Sequence, residues 1–115
     1  MAILTLKNLH CFETEDFAGA DEPYLRVNGS TKWSSKSLNT GQDVDLFDKN
    51  GNPLQIAFNG QAVISLYDSD GNHWYDRDDF LGSWTVTNQE IGRGDQLAFF
   101  NLDGASYQLA YEVTI

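Results

Sequence analysis

Leu109-Ala110-Tyr111-Glu112-Val113-Thr114-Ile115 alternates without a break, with four large apolar side chains on one side and Ala110, Glu112 and Thr114 on the other. Successive residues of a strand point to opposite faces, so this spacing predicts a β-strand with one face in a core. Gln61 to Tyr67 repeats the pattern through Ala62, Ile64 and Leu66. Leu4 and Leu6 begin it again near the N-terminus, where Leu9, Cys11 and Phe12 fall out of phase and predict a bulge. Leu25 and Val27 mark a strand after Pro23, and Thr31 to Leu38, Gln42 to Phe47, Phe80 to Val86 and Asp95 to Leu102 are further candidates. No comparable stretch carries helical spacing of three and four. The expectation is an all-β, eight-stranded antiparallel sandwich, with Leu54 to Phe58 either a ninth short strand or an ordered loop.

The punctuation agrees with short strands. Asn28-Gly29, Asn59-Gly60 and Asp103-Gly104 are tight-turn pairs, because both residues of each tolerate positive φ. Asn39-Thr40-Gly41 and Asp48-Lys49-Asn50-Gly51-Asn52-Pro53 make longer turns. With 115 residues, 41% hydrophobic content and 15 aromatic rings, residues 1–115 are expected to form one folded domain with a real core.

Seventeen acids against seven bases make this an acidic protein with a formal charge of −10. The bases Lys7, Arg26, Lys32, Lys36, Lys49, Arg77 and Arg93 are scattered and form no stripe to track phosphates, so nucleic acid is not an expected partner. No apolar run approaches the roughly 20 residues that cross a bilayer as a helix, so no transmembrane segment is expected. Met1 to Lys7 reads as a first strand rather than a signal peptide. Cytoplasmic residence is the default expectation, with export by another route or a place in a larger assembly left open. A single cysteine, Cys11, excludes an intramolecular disulfide and reads as a small buried hydrophobe.

Ten of the seventeen acids fall in two short segments between predicted strands. The first holds Glu13, Glu15, Asp16, Asp21 and Glu22; the second holds Asp68, Asp70, Asp76, Asp78 and Asp79. Carboxylates this close repel one another by about a kcal/mol or more even near a surface. Either the loops are spread through water or a cation neutralises them. Hard oxygen ligands suit calcium, which takes roughly 6–8 oxygens in flexible geometry.

Within the first segment Asp16 and Glu22 are separated by a loop containing Gly19, and Pro23-Tyr24-Leu25 then starts a strand. Within the second, Asp68-Ser69-Asp70 closes a strand and Asp79-Phe80-Leu81-Gly82 opens the next. Both arrangements, in this order, resemble the principal calcium loops of C2 domains. The resemblance implies a C2-like antiparallel sandwich holding Ca2+ between loops at one end, with Asp16, Glu22, Asp68, Asp70 and Asp79 as ligands. Glu22 stands where the family usually has Asp, and the second loop is longer than its common pattern. Asp76 or Asp78 can therefore replace or join Asp79, and Asp21 is a spare in the first loop. One strand before the first acidic loop fits the circularly permuted variant of the family. Asp68, Asp70, Asn72, Trp74, Asp76 and Asp79 also occupy positions 1, 3, 5, 7, 9 and 12 of an EF-hand loop. His73 replaces the Gly of that motif and no helices flank it, so the EF-hand is set aside.

Phe17, Trp74 and Tyr75 lie inside the acidic segments, where solvated loops have little use for large rings. Two readings stay open: contact with a phospholipid surface or protein partner once calcium neutralises the loops, or rings folded back to cap the sandwich. The ion itself has two open roles, a switch for membrane or partner binding or a structural stabiliser, and a calcium-dependent sugar-binding module is a further alternative. Enzymatic activity is not expected. His10 and His73 belong to no nucleophile motif, and His10 and Cys11, adjacent on a strand, point apart and cannot easily share a zinc ion. The sequon Asn28-Gly29-Ser30 and the tripeptide Arg93-Gly94-Asp95 sit on predicted turns that explain them.

Overall fold

A computed structural model describes residues 1–15, 19–35, 37–69 and 78–115. Its strands are β1 (Ala2–Glu13), β2 (Pro23–Val27), β3 (Ser30–Ser34), β4 (Asp43–Asp45), β5 (Leu54–Phe58), β6 (Gln61–Asp68), β7 (Asp79–Thr87), β8 (Asp95–Phe100) and β9 (Ser106–Thr114), with a short 3-10 turn at Asn88–Glu90. They form two antiparallel sheets, one in the order β3-β2-β6-β7 and one in the order β4-β1-β9-β8 with β5 also on β1. The all-β sandwich is therefore as expected. Leu54–Phe58 is a ninth strand, because it pairs with β1 from Leu54↔Leu6 to Phe58↔Ala2 and buries both of its end residues. Thr31 to Leu38 and Gln42 to Phe47 are shorter than their composition suggests. Pairing ends at Ser34 and Asp45, while Leu38 and Phe47 make only isolated bridges to Asp21 and Pro53.

The inner faces follow the sequence alternation. Leu4, Leu6, Leu9, Cys11, Tyr107, Leu109, Tyr111 and Val113 pack from one sheet against Leu25, Val27, Ala62, Ile64, Leu66, Leu81 and Val86 of the other. The predicted phase change in β1 is real: Leu6 opposes Tyr111 and Asn8 opposes Ala110, so Lys7 is the extra residue of a bulge. Without it a period of two would turn Leu9 and Cys11 outward. Lys7 instead faces out and pairs with Asp95 at 2.5 Å and Glu112 at 2.9 Å, and the Asp95 bond chiefly raises its pKa.

One end of the sandwich is closed by a tyrosine. Tyr111 donates to Glu90 at 2.6 Å and accepts from the Trp84 indole at 3.2 Å. Glu90 in turn accepts the Thr87 N–H at 3.0 Å, so the turn after β7 is tied to β9.

A second bulge sets how closely the sheets approach. Leu66 opposes Gly82 and Tyr67 opposes Phe80, leaving Leu81 as the extra residue. Gly82 has φ of 139°, and a Cβ there would lie 3.1 Å from the Phe100 Cα on the facing sheet. Only glycine meets both conditions. Gly82→Ala is expected to destabilise the fold by about 1–3 kcal/mol, read as a lower urea midpoint; an unchanged midpoint would show that the sheets can separate without cost.

Candidate metal centre

The strand register brings the acidic loops together. Pro23 opposes Asp68 and Asp68 opposes Asp79, so the first loop leaves β1, enters β2, and meets both ends of the second loop in one row. The turn between β8 and β9 lies at the same end: Glu13 opposes Ser106, and the Leu102 N–H donates to the Leu81 carbonyl at 3.0 Å. The segment after β3 joins them through paired Asp21 and Leu38 backbone bonds of 3.0 and 2.8 Å.

Asp21 and Asp68 are the buried acids among the described residues, at 0% and 1% exposure. With half-buried Glu15 they form a group in which one carboxylate oxygen of each lies within 4.8 Å of the others. Glu15, Asp79 and Asp103 form a second such group, so Glu15 belongs to both. Each like-charge pair at this separation opposes folding by about 3–4 kcal/mol at an effective dielectric near 20. Oxygens bound to one calcium lie at most about 5 Å apart, twice a bond of roughly 2.5 Å. The spacing and the all-oxygen donor set therefore fit calcium. They do not suit zinc, which favours histidine and cysteine.

Hydrogen bonds hold the two buried acids. Asp21 Oδ2 accepts the Tyr107 hydroxyl at 2.5 Å and the Glu15 N–H at 2.9 Å. Asp68 Oδ1 accepts the Glu22 N–H at 2.7 Å, and the Ser69 N–H donates to the Glu22 carbonyl at 3.0 Å. Glu22 thus contributes its backbone here, and its exposed side chain is in neither acidic group. Asp78 is also exposed and outside both groups; its Oδ2 accepts the Tyr24 hydroxyl at 2.5 Å. Asp16, Phe17, Asp70, Trp74, Tyr75 and Asp76 lie outside the described residues.

Of the residues singled out from sequence, the fold brings Asp21, Asp68 and Asp79 into the acidic groups and adds Glu15 and Asp103. Glu15 was visible as a member of the first acidic segment. Asp103 reads locally only as the first half of a tight turn, a role it does fill with φ of 58°. Only the placement of β8 and β9 beside β7 carries it to the site.

Beside the loops, on the outer face of the four-stranded sheet, Tyr24 stacks on Tyr67 at 5.2 Å between centroids, and Tyr67 meets Phe80 at 5.3 Å. The Arg26 guanidinium lies 5.6 and 5.4 Å from the two tyrosine rings. Burial first, and the Asp78 bond second, push the Tyr24 hydroxyl up to about 12. Burial followed by the Glu90 bond does the same to Tyr111, and burial with the Asp21 bond drives Tyr107 higher still. A phenol in the unfolded chain titrates near 10. The folded state keeps protons that the unfolded state releases, so this stability is complete below about pH 10 and is lost as pH rises toward 12. The urea midpoint is expected to hold to about pH 10 and then fall, with phenolate absorbance from these tyrosines appearing only as unfolding begins. Ionisation of every tyrosine near pH 10 in protein that remains folded would contradict this.

No protein-family model and no curated protein matches this sequence. Solved structures do match its fold. A C2 domain structure aligns over 100% of both chains with a TM-score of 0.62 at 12% identity. The C2A and C2B domains of extended synaptotagmin 2 align over 98% of this chain and 39% of theirs, with a TM-score of 0.56 at 19% identity. Human GIVD cytosolic phospholipase A2 aligns over 98% of this chain and 16% of its own, at 0.57 and 12%. The chain thus spans the whole of one of these structures and under half of the other two. An alignment of this extent, on the two-sheet architecture described above, shows that the protein has the C2 fold.

Proposed function

We propose that this protein is a calcium-binding C2-like module, in which the acidic loops hold Ca2+ at one end of the sandwich and the loaded end docks on a phospholipid surface or a protein partner. The observation that carries the reading is the group Glu15, Asp21 and Asp68, where two fully buried carboxylates and a half-buried one converge within 4.8 Å. Asp79 and Asp103 extend the donor set, and Asp16, Asp70 and Asp76 are proposed to complete it from the loops they occupy. A bound cation turns mutual repulsion among ionised carboxylates into coordination. One of the structurally similar proteins, extended synaptotagmin 2, is known in a calcium-bound form with the same C2A and C2B domains.

Docking is supported by exposed apolar side chains at this end. Phe12 closes β1 at 49% exposure, Phe80 opens β7 at 42%, and Leu102 projects from the β8–β9 turn at 51%. With Phe17, Trp74 and Tyr75 they would enter an interface once the carboxylates no longer repel it. Among the described residues no helix is long and apolar enough to cross a membrane. A structural role for the ion has its own support, since Asp21 and Asp68 are bonded to the backbone N–H groups of Glu15 and Glu22 at the two ends of the first acidic loop.

Calorimetric titration with calcium chloride, followed by melting curves with and without the ion, tests the binding. Wild-type protein is expected to bind and to gain about 2–3 kcal/mol of stability at a hundredfold excess over Kd. Asp21→Asn and Asp68→Asn are each expected to weaken binding by at least about tenfold, the range seen when a shell around a metal is disturbed, whereas Glu22→Gln leaves it largely intact. No heat and no melting shift at millimolar calcium would remove the reading. Co-sedimentation with vesicles of phosphatidylcholine and phosphatidylserine separates the two roles. Calcium-dependent pelleting that Leu102→Ser and Phe80→Ser reduce, with calcium affinity unchanged, supports docking; stabilisation without pelleting leaves the structural role.

A further inference from the structure

We propose that Tyr107, a core residue of β9, is a positioning residue for the cation, holding Asp21 in its binding orientation from the facing sheet; this rests on the calcium reading above. Tyr107 is fully buried, at 0% exposure, and packs among Leu9, Cys11 and Leu109 of its own sheet. Its hydroxyl reaches out of that core to Asp21 Oδ2, which also takes the Glu15 N–H. Two donors converging on one oxygen restrict rotation of the carboxylate. Close packing around the ring stops the hydroxyl from following if Asp21 turns. The Asp21 backbone is held separately, by its reciprocal bonds with Leu38. Main chain and side chain are therefore anchored by different elements, and the side-chain anchor comes from the hydrophobic core.

The arrangement has a consequence for affinity. Ordering a flexible acid on binding costs entropy, and a carboxylate already fixed by a partner behind it avoids that cost. The converse also holds: an ion that draws on Asp21 must change the electrostatic environment of the Tyr107 ring.

A built-in control exists on the same strand. Tyr111 is also buried, and its hydroxyl makes a bond of similar length to Glu90, at the end of the sandwich away from the acidic groups. Tyr107→Phe deletes the hydroxyl bond to Asp21, and Tyr111→Phe deletes those to Glu90 and Trp84, each keeping the ring. Both are expected to lower stability in chelator. Only Tyr107→Phe is expected to lose calcium affinity, by about 10- to 100-fold, in calorimetric titration with calcium chloride. A calcium-induced ultraviolet difference signal from a buried tyrosine is expected in wild type and in Tyr111→Phe, and not in Tyr107→Phe. Wild-type affinity in Tyr107→Phe, or an equal loss in both variants, would overturn the proposal while leaving the calcium reading in place. Should Tyr107→Phe not fold, a wild-type spectrum without any tyrosine signal on saturation overturns it equally. A wild type that binds no calcium removes the calcium reading and this proposal together.

Discussion

The inward phase of β6 does not stop at its last apolar residue. Ala62, Ile64 and Leu66 face the core at alternate positions, and the next inward position is Asp68, a carboxylate at 1% exposure. The geometry of a strand thus turns a carboxyl group into the interior where the two sheets end. Asp68 stands between Pro23 and Asp79 in the sheet, and its Oδ1 fixes the backbone of Glu22. The loops that approach it include the first acidic loop, which carries Glu15 and Asp21. Ionised carboxylates held this close repel one another.

The two ends of the sandwich show what difference this makes. At one, Glu90 is a single acid that accepts from the Tyr111 hydroxyl and the Thr87 N–H, while the Trp84 indole donates to Tyr111. At the other, Tyr107 and backbone N–H groups serve Asp21 and Asp68, Glu15 lies close to both, and Asp79 and Asp103 lie close to Glu15. Burial of the tyrosine rings and burial of the acids are thereby linked: the same core that stabilises the fold sets the geometry of the site.

Legibility in the sequence followed the range of the interaction responsible. The phase slip between Leu6 and Leu9 predicts a bulge because alternation is local, and Lys7 proves to be the inserted residue. Asn28-Gly29 and Asp103-Gly104 read as turns and are turns, with positive φ at all four positions. The short strand Leu54–Phe58 was ambiguous because five residues with two buried ends carry little periodic signal, and its assignment depends on pairing with β1, some fifty positions away along the chain. Glu22 shows a second contribution that local reading does not reach: its place in the acidic segment marks its side chain, which is exposed, while the fold directs its N–H to Asp68.

By itself, the sequence determined the sandwich, its turns, and the fact that acids gather in two segments between strands, since alternation, turn chemistry and charge density are all properties of neighbouring residues. Tertiary structure alone decided which acids meet. Asp21 lies near Glu15 and Asp68 and is bonded by Tyr107 from the other end of the chain, and Asp103 lies near Glu15 and Asp79 where the β8–β9 turn meets β7. Electrostatic repulsion and coordination depend on distances of a few ångströms through space, and strand register across two sheets sets those distances, which no local pattern encodes.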